Sequence, residues 1–319
     1  MSELAAGELG ATTLGPELLP LKPLAELRGL KRSRFCVGAV TVEIAADCEG
    51  DIDLVPSLEP FRSDTHPDVR VRVEWVDQLL SVATPELFNS SSTWRLYGSD
   101  AEFQFDFGAP FFGELPYKRL LADRAFTRAT LLMSRRSFAG LTCDAVPLGY
   151  PLDELLIMHR LTQERAIELH GCGITTADGT GNLFVGHSGA GKSTTTRLWT
   201  ASEDVEILSD DRIIVREHPG HVRMYGTPWH GEAMFASPNS NPLTRIMILE
   251  HGHGNVLTRL SPSRAVGELF ARSFVPMHRH EYVESALEFL QTVAESVPCY
   301  RFAFEPHQGA VEKILALRD

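Results

Sequence analysis

The 319-residue chain has no apolar run long enough to span a bilayer, so no membrane helix is expected. Its first twenty residues carry Glu3, Glu8 and Glu17 and no early positive charge. Such a start lacks the basic and apolar stretches of a secretory leader. Cysteine is sparse. Cys36, Cys48, Cys143, Cys172 and Cys299 are scattered, odd in number and form no CxxC pair. Neither a disulfide framework nor a zinc site is expected, and the five read as reduced thiols of a cytoplasmic protein. Basic residues are outnumbered, 30 against 42 acids, for a formal net charge of -12. Duplex binding depends on neutralising phosphates with Lys and Arg, so nucleic acid is not an expected partner. A nucleotide needs only a few local donors and is not excluded. No internal repeat is visible.

What is present is an ordinary globular composition, 43% hydrophobic and 23% charged. The length exceeds what one core usually supports and points to two domains. Residues 1–32 are rich in Gly, Ala, Leu and Pro and read as a flexible tail with one short helix near Leu24. Residues 33–147 read as a β-rich, mostly antiparallel domain of unknown role. Phe35 to Ile44 is rich in β-branched residues. Val69 to Trp75 alternates apolar and charged residues, the mark of a half-buried strand. Trp94–Tyr97 and Glu102–Phe107 flank a turn and read as a hairpin, and Arg128–Met133 adds a strand. Residues 148–319 change texture. Leu152, Leu155, Leu156, His159 and Leu161 have helical spacing after Pro151, which suits a first helical turn. Ala166–His170 and Leu183–Val185 read as strands.

The strongest motif follows at once. Gly186-His187-Ser188-Gly189-Ala190-Gly191-Lys192-Ser193 fits GxxxxGK[ST] without a mismatch. Glycines let the backbone turn tightly and aim its N–H groups at phosphate oxygens. In that chemistry Lys192 reaches the β- and γ-phosphates and the Ser193 hydroxyl binds magnesium. Thr194 lies in the first turn of the expected helix, whose positive end faces the phosphates. ATP and Mg2+ are therefore the expected ligands. Val205 to Leu208 is a short apolar strand that ends at Ser209-Asp210-Asp211. Asp210 follows Lys192 by 210 − 192 = 18 residues, room for a helix and a returning strand. If that strand runs parallel to Leu183–Val185, both ends fall on the sheet edge where α/β proteins bind ligands. Neighbouring strand residues face opposite ways, so Asp210 and Asp211 should have different jobs. One can hold magnesium and the other can take a proton from an attacking hydroxyl.

His170-Gly171, the loop from Leu183 to Ser193, and Ser209-Asp210-Asp211 occur in an order and spacing that resembles the catalytic domain of HPr kinase/phosphorylase. The phosphoenolpyruvate carboxykinases share the short loop-to-acid spacing. The resemblance covers residues 150 to 230 best. It implies an α/β, P-loop kinase domain with a mixed central sheet, preceded by the β-rich domain. It also implies that His170 lies near the acids and the transferred phosphoryl group. The family's Arg-Gly-rich segment after the acids is not recognisable. Tyr225 to Glu232 stands in its place, so the resemblance does not extend to HPr as the acceptor. The expected reaction is transfer of the ATP γ-phosphoryl group to a hydroxyl, of Ser or Thr in a protein or peptide or of a small molecule. A homo-oligomer is a possible assembly.

Weaker signals remain. Trp229, His230 and Glu232 can line an acceptor pocket or be structural. Arg197, Arg245 and Arg272 are candidates to clamp a phosphate. His251, His253, His278 and His280 lack partners at metal-ligand spacing and read as loop histidines. Arg212 after Asp211 argues against a transport ATPase, which needs a glutamate there. A sensor that binds ATP without transferring it needs neither His170 nor both acids.

Overall fold

The structure, a computed structural model, describes residues 13–14, 17, 19, 21, 29–91, 93–99, 101–140, 145–201 and 204–317. The expected helix near Leu24 and Cys143 lie outside the described residues. Internal contacts divide the chain into two units. Met1–Ser33, Val42–Asp53 and Asp68–Pro147 form one; Arg34–Thr41, Leu54–Pro67 and Leu148–Asp319 form the other. The chain is mixed α/β, with two large mixed sheets and few helices. Among the described residues no helix is long and apolar enough to cross a membrane.

Through residue 147 the chain runs β1 (Thr13–Leu14), β2 (Lys31–Val37), β3 (Val40–Ala46), β4 (Val69–Val76), β5 (Gln78–Leu79), β6 (Phe88–Asn89), β7 (Trp94–Gly98), β8 (Glu102–Phe107), β9 (Lys118–Asp123), β10 (Arg128–Ser134) and α1 (Arg135–Phe138). The tract from Phe35 to Ile44 is two strands. It reverses at Gly38 and Ala39, with φ of 58° and 59°, the left-handed pair that a two-residue hairpin turn requires. The sheet order is β2-β3-β4-β10-β9-β8-β7-β6. Strands β7 to β10 pair antiparallel, as expected. The β3–β4 and β4–β10 pairs are parallel, because long connections separate these strands and no hairpin turn dictates their direction. In β4 the alternation holds: Val69, Val71 and Val73 are buried and Arg70 and Arg72 are not. A cleft of about 240 Å³ is lined by Trp94, Arg95, Asp106, Phe107 and Pro110 among others. Its one buried acid, Asp106, is clamped by Arg119 through Nε at 2.6 Å and Nη2 at 2.7 Å.

The second unit contains α2 (Leu152–Leu161), β11 (Ala166–Thr175), β12 (Gly181–Val185), α3 (Lys192–Thr200), β13 (Glu206–Ser209), β14 (Arg212–His218), β15 (His221–Tyr225), β16 (Ser240–Pro242), β17 (Arg245–His251), β18 (Val256–Arg259), α4 (Pro262–Phe270), β19 (Ser273–Phe274), α5 (His280–Ser296), β20 (Cys299–Phe304) and α6 (Gly309–Leu315). It also takes in the β2–β3 turn: Arg216 Nη1 donates to the Gly38 carbonyl at 2.8 Å. The sheet runs β16-β15-β14-β11-β12-β17-β20-β18, with β13 and β19 also on β11.

Strand β11 is the organiser. Its first half pairs with β14 and its second half with β12 and β13, all antiparallel. Hence β12 and β13 run the same way, with β11 between them, and reach the same sheet edge. Strands β17 and β20 run parallel to β12 and end there too. Period-two alternation sorts the cores. Leu183, Val185, Ile246 and Ile248 pack with Leu269, Phe289 and Val293 of α4 and α5. Phe184, Cys172, Ile174, Met247 and Phe302 pack with Trp199 of α3 and Val311 of α6. Each large apolar side chain buried this way contributes about 1.5–3 kcal/mol. The same alternation along β11 puts Glu168 and His170 on the face of Cys172 and Ile174, the face that α3 covers.

Candidate active site

Gly186 follows β12 directly and Lys192 opens α3, so the glycine-rich segment is a strand–loop–helix junction. Gly189 and Gly191 have φ of +81° and +99°. At Gly191 a Cβ would lie 2.6 Å from Phe304 Cζ, so conformation and space both exclude a side chain. No side chain caps α3. Its first-turn N–H groups, which have no intrahelical acceptor, are free to meet an anion. His187, Ser188 and Gly189 are exposed, and Ala190, Ser193 and Thr194 are half-buried. Lys192 is buried, and its Nζ donates to the carbonyls of Gly186 at 3.1 Å and His187 at 3.2 Å. Burial lowers the pKa of this ammonium; the charges of Asp211 and Asp210 oppose that shift. The acids and the loop also adjoin in the sheet, because β12 and β13 flank β11 and end at one edge.

Asp210 and Asp211 occupy the break between β13 and β14 as the chain passes along β11. Ser209 lies opposite Gly173 and Arg212 opposite His170. The two carboxylates face different partners. That of Asp210 is buried and accepts three backbone N–H groups, from Gly231 at 2.9 Å, Ala233 at 2.8 Å and Phe235 at 3.2 Å. It ties down the 231–235 segment. Asp211 is half-buried, and its Oδ1 lies 3.0 Å from His170 Nε2 while its Oδ2 accepts from Arg212 Nη1. Burial pushes the Asp211 carboxyl up. The His170 hydrogen bond and the charges of Arg212, His170 and Lys192 outweigh that and hold it below the usual carboxylate range.

In the sequence Arg212 stands out only as an argument against a transport ATPase. In the structure it is a hub. Its guanidinium stacks 4.1 Å from the centre of the Phe274 ring. Its Nε lies 2.9 Å from Glu154 Oε1 and 3.3 Å from Glu168 Oε1. Three carboxylates thus surround one guanidinium. Burial pushes the Glu168 carboxyl well up, and the charge of Glu154 adds to this, against Arg212. The one available signal was an acid in an otherwise apolar strand, two residues before His170 and so on its face.

Other predicted residues separate. Trp229 is buried, and its Nε1 donates to Asp153 Oδ2 at 3.2 Å. Burial, the largest influence on Asp153, pushes that carboxyl up to about 6. Trp229 is therefore an anchor, while His230 and Glu232 are exposed. Arg245 donates to the carbonyls of Ile314 and Leu317, and Arg197 is exposed on α3. Arg272 is the arginine that reaches the site. Its charge is the main cause of the lowered His187 pKa, and its carbonyl accepts from His170 N at 2.8 Å. Glu268 holds its Nη1 at 2.6 Å. His251 is not a bystander, since its Nε2 lies 2.9 Å from the Gly189 carbonyl. His278 sits against His159, ring centres 5.4 Å apart. Among the described residues Cys36, Cys48, Cys172 and Cys299 form no disulfide. Among the described residues no group of three or more His, Cys, Asp or Glu is arranged to hold a metal alone. Magnesium on a nucleotide needs no such group, because phosphate oxygens and water complete its shell.

No protein-family model matches the chain, and no curated protein matches it at a significant level.

Proposed function

We propose that the second unit is a P-loop kinase domain like that of HPr kinase/phosphorylase, which transfers the γ-phosphoryl group of Mg·ATP to a hydroxyl of a protein, peptide or small molecule. The observation that carries this reading is a meeting at one sheet edge. The glycine-rich loop with Lys192 adjoins a carboxylate, Asp211, held by His170 and Arg212.

The residues divide the work. The loop amides and Lys192 hold the phosphates, and Arg272 adds positive charge beside His187. The Ser193 hydroxyl and an oxygen of Asp210 or Asp211 would hold magnesium, which would neutralise charge on the phosphate chain. Asp210 is engaged by three N–H groups, so its task is to fix the 231–235 segment. Asp211, held ionised at neutral pH, takes the proton of the acceptor hydroxyl. The hydroxyl oxygen then bonds to the γ-phosphorus as the bond to the β–γ bridging oxygen breaks and ADP leaves. His170 orients Asp211 through Nε2–H. A nucleotide sensor would require the loop but not the His170–Asp211–Arg212 arrangement, which favours the transferase.

Incubation of the full chain with γ-labelled Mg·ATP tests this. ADP should form only with magnesium present, and label should pass to an acceptor hydroxyl or, slowly, to water. Tight ATP binding with no ADP above a protein-free control would leave a sensor and contradict the transferase.

A further inference from the structure

Beyond the groups that meet the γ-phosphoryl end, a second polar cluster adjoins the glycine-rich loop from its other side. His251 is the last residue of β17 and lies opposite Phe304, the last of β20. His251 Nε2 meets the Gly189 carbonyl, and the Phe304 ring is packed where a Cβ of Gly191 would be. Glu305 follows immediately. Its Oε1 lies 3.1 Å from His253 Nδ1, its Oε2 lies 3.1 Å from His307 Nε2, and its N donates to Asn255 Oδ1 at 2.9 Å. His307 Nδ1 accepts from Gly309 N at 3.1 Å, which assigns the ring proton to Nε2 and makes it a donor to Glu305. An ionised carboxylate has about four acceptor positions. The two imidazoles and the Gly254 N–H take one each, which leaves one open, and the side chain is 35% exposed. The two imidazole bonds, His307 first, keep the carboxyl below its usual range.

A carboxylate beside a phosphate-binding loop repels phosphate. Away from the γ-phosphoryl end, where the acid pair works, such a carboxylate suits neutral donors such as hydroxyls. Sheet order supplies the direction. His170 and Asp211 lie on the β11–β13 side of the loop, and β17 and β20 lie on the other. A nucleotide whose γ-phosphoryl end is at Asp211 leaves the loop toward β17 and β20.

We propose that the loops after β17 and β20 form the nucleoside subsite, in which Glu305 accepts a hydrogen bond from a ribose hydroxyl and the His253 and His307 rings stack on the base. This rests on the phosphotransferase reading. It makes the protein selective for a ribonucleoside triphosphate over the bare phosphate chain, and it gives His251 the role of positioning the loop through Gly189.

Calorimetric titration of the full chain with Mg·ATP and with magnesium tripolyphosphate tests it, on wild type, Glu305→Ala and His253→Ala. His253 is 98% exposed, so its variant has no core to disturb. Wild type should bind ATP more tightly than tripolyphosphate. Glu305→Ala should weaken ATP about tenfold, the size expected for a charge-assisted hydrogen bond, and His253→Ala about threefold. Tripolyphosphate affinity should hold or tighten in Glu305→Ala, because a repelling charge is gone. Unchanged ATP affinity in both variants, or equal weakening of both ligands, overturns the nucleoside subsite while leaving the phosphate loop intact. Wild type binding neither ligand is a different result: it overturns the phosphotransferase reading, and the subsite with it.

Discussion

Asp211→Asn should bind Mg·ATP within a few-fold of wild type and lose phosphoryl transfer by about a hundred- to ten-thousand-fold, the usual contribution of a general base. The substitution keeps the shape and removes the charge that His170 and Arg212 hold in place. Asp210→Asn should behave otherwise. Its carboxylate accepts three backbone N–H groups, and an amide NH2 cannot accept. One or more of those donors is left facing a donor, at a cost of about 1–3 kcal/mol. The expected sign is a lower melting temperature with loosening of the 231–235 segment. ADP formation, ATP affinity and thermal unfolding, measured on both variants, separate the roles. Wild-type transfer by Asp211→Asn, or an unaltered melting temperature in Asp210→Asn, would sink the assignment.

The second large effect is on stability. Arg212→Met leaves Glu154, Glu168 and Asp211 without their shared cation, and breaking a buried ion cluster on one side costs about 3–5 kcal/mol. The loss should depend on pH. The folded carboxyl of Glu168 already sits above its ordinary value, so between the unfolded and folded values the native state binds the extra proton. The stability linked to this group is complete below the ordinary glutamate pKa, about 4.3, and is lost as pH rises through the folded value. Without the guanidinium the folded value rises further and the loss deepens. Chemical denaturation should therefore show a wider gap between variant and wild type at pH 8 than at pH 5. An equal gap at both would mean that the carboxylates are not coupled through Arg212.

Local chemistry made the loop legible in the sequence. Glycine spacing, Lys192 and Ser193 state the same requirement that the backbone meets at Gly191 against Phe304. The strand before it, the helix after it and the 18-residue step to the acids, 210 − 192, follow from period and length. The direction of β13 was also readable, because a helix-length connection returns a strand in the same sense. The intervening β11 was not, since a partner strand is chosen by the whole sheet. The division of labour between the acids was visible only as opposite facing. Which acid is engaged depends on Gly231, Ala233 and Phe235, whose approach no nearby residue encodes. Arg212 was missed for the same reason, as its partners Glu154 and Glu168 lie 58 and 44 positions away (212 − 154 and 212 − 168). The parallel pairs β3–β4 and β4–β10 escaped because long connections leave strand direction open.

The central claim is that the loop from Gly186 to Ser193 holds the phosphates of Mg·ATP through Lys192, and calorimetric titration of Mg·ATP into wild type and Lys192→Ala tests it most directly. The Lys192 ammonium donates to the Gly186 and His187 carbonyls of the loop itself, so the variant should fold with a nearly unchanged melting temperature. Wild type should give saturable binding at one site per chain. Lys192→Ala should weaken it about tenfold or more, the size of a lost charge-assisted contact to phosphate. Equal affinity in a folded Lys192→Ala, or no binding heat in wild type, would contradict the account.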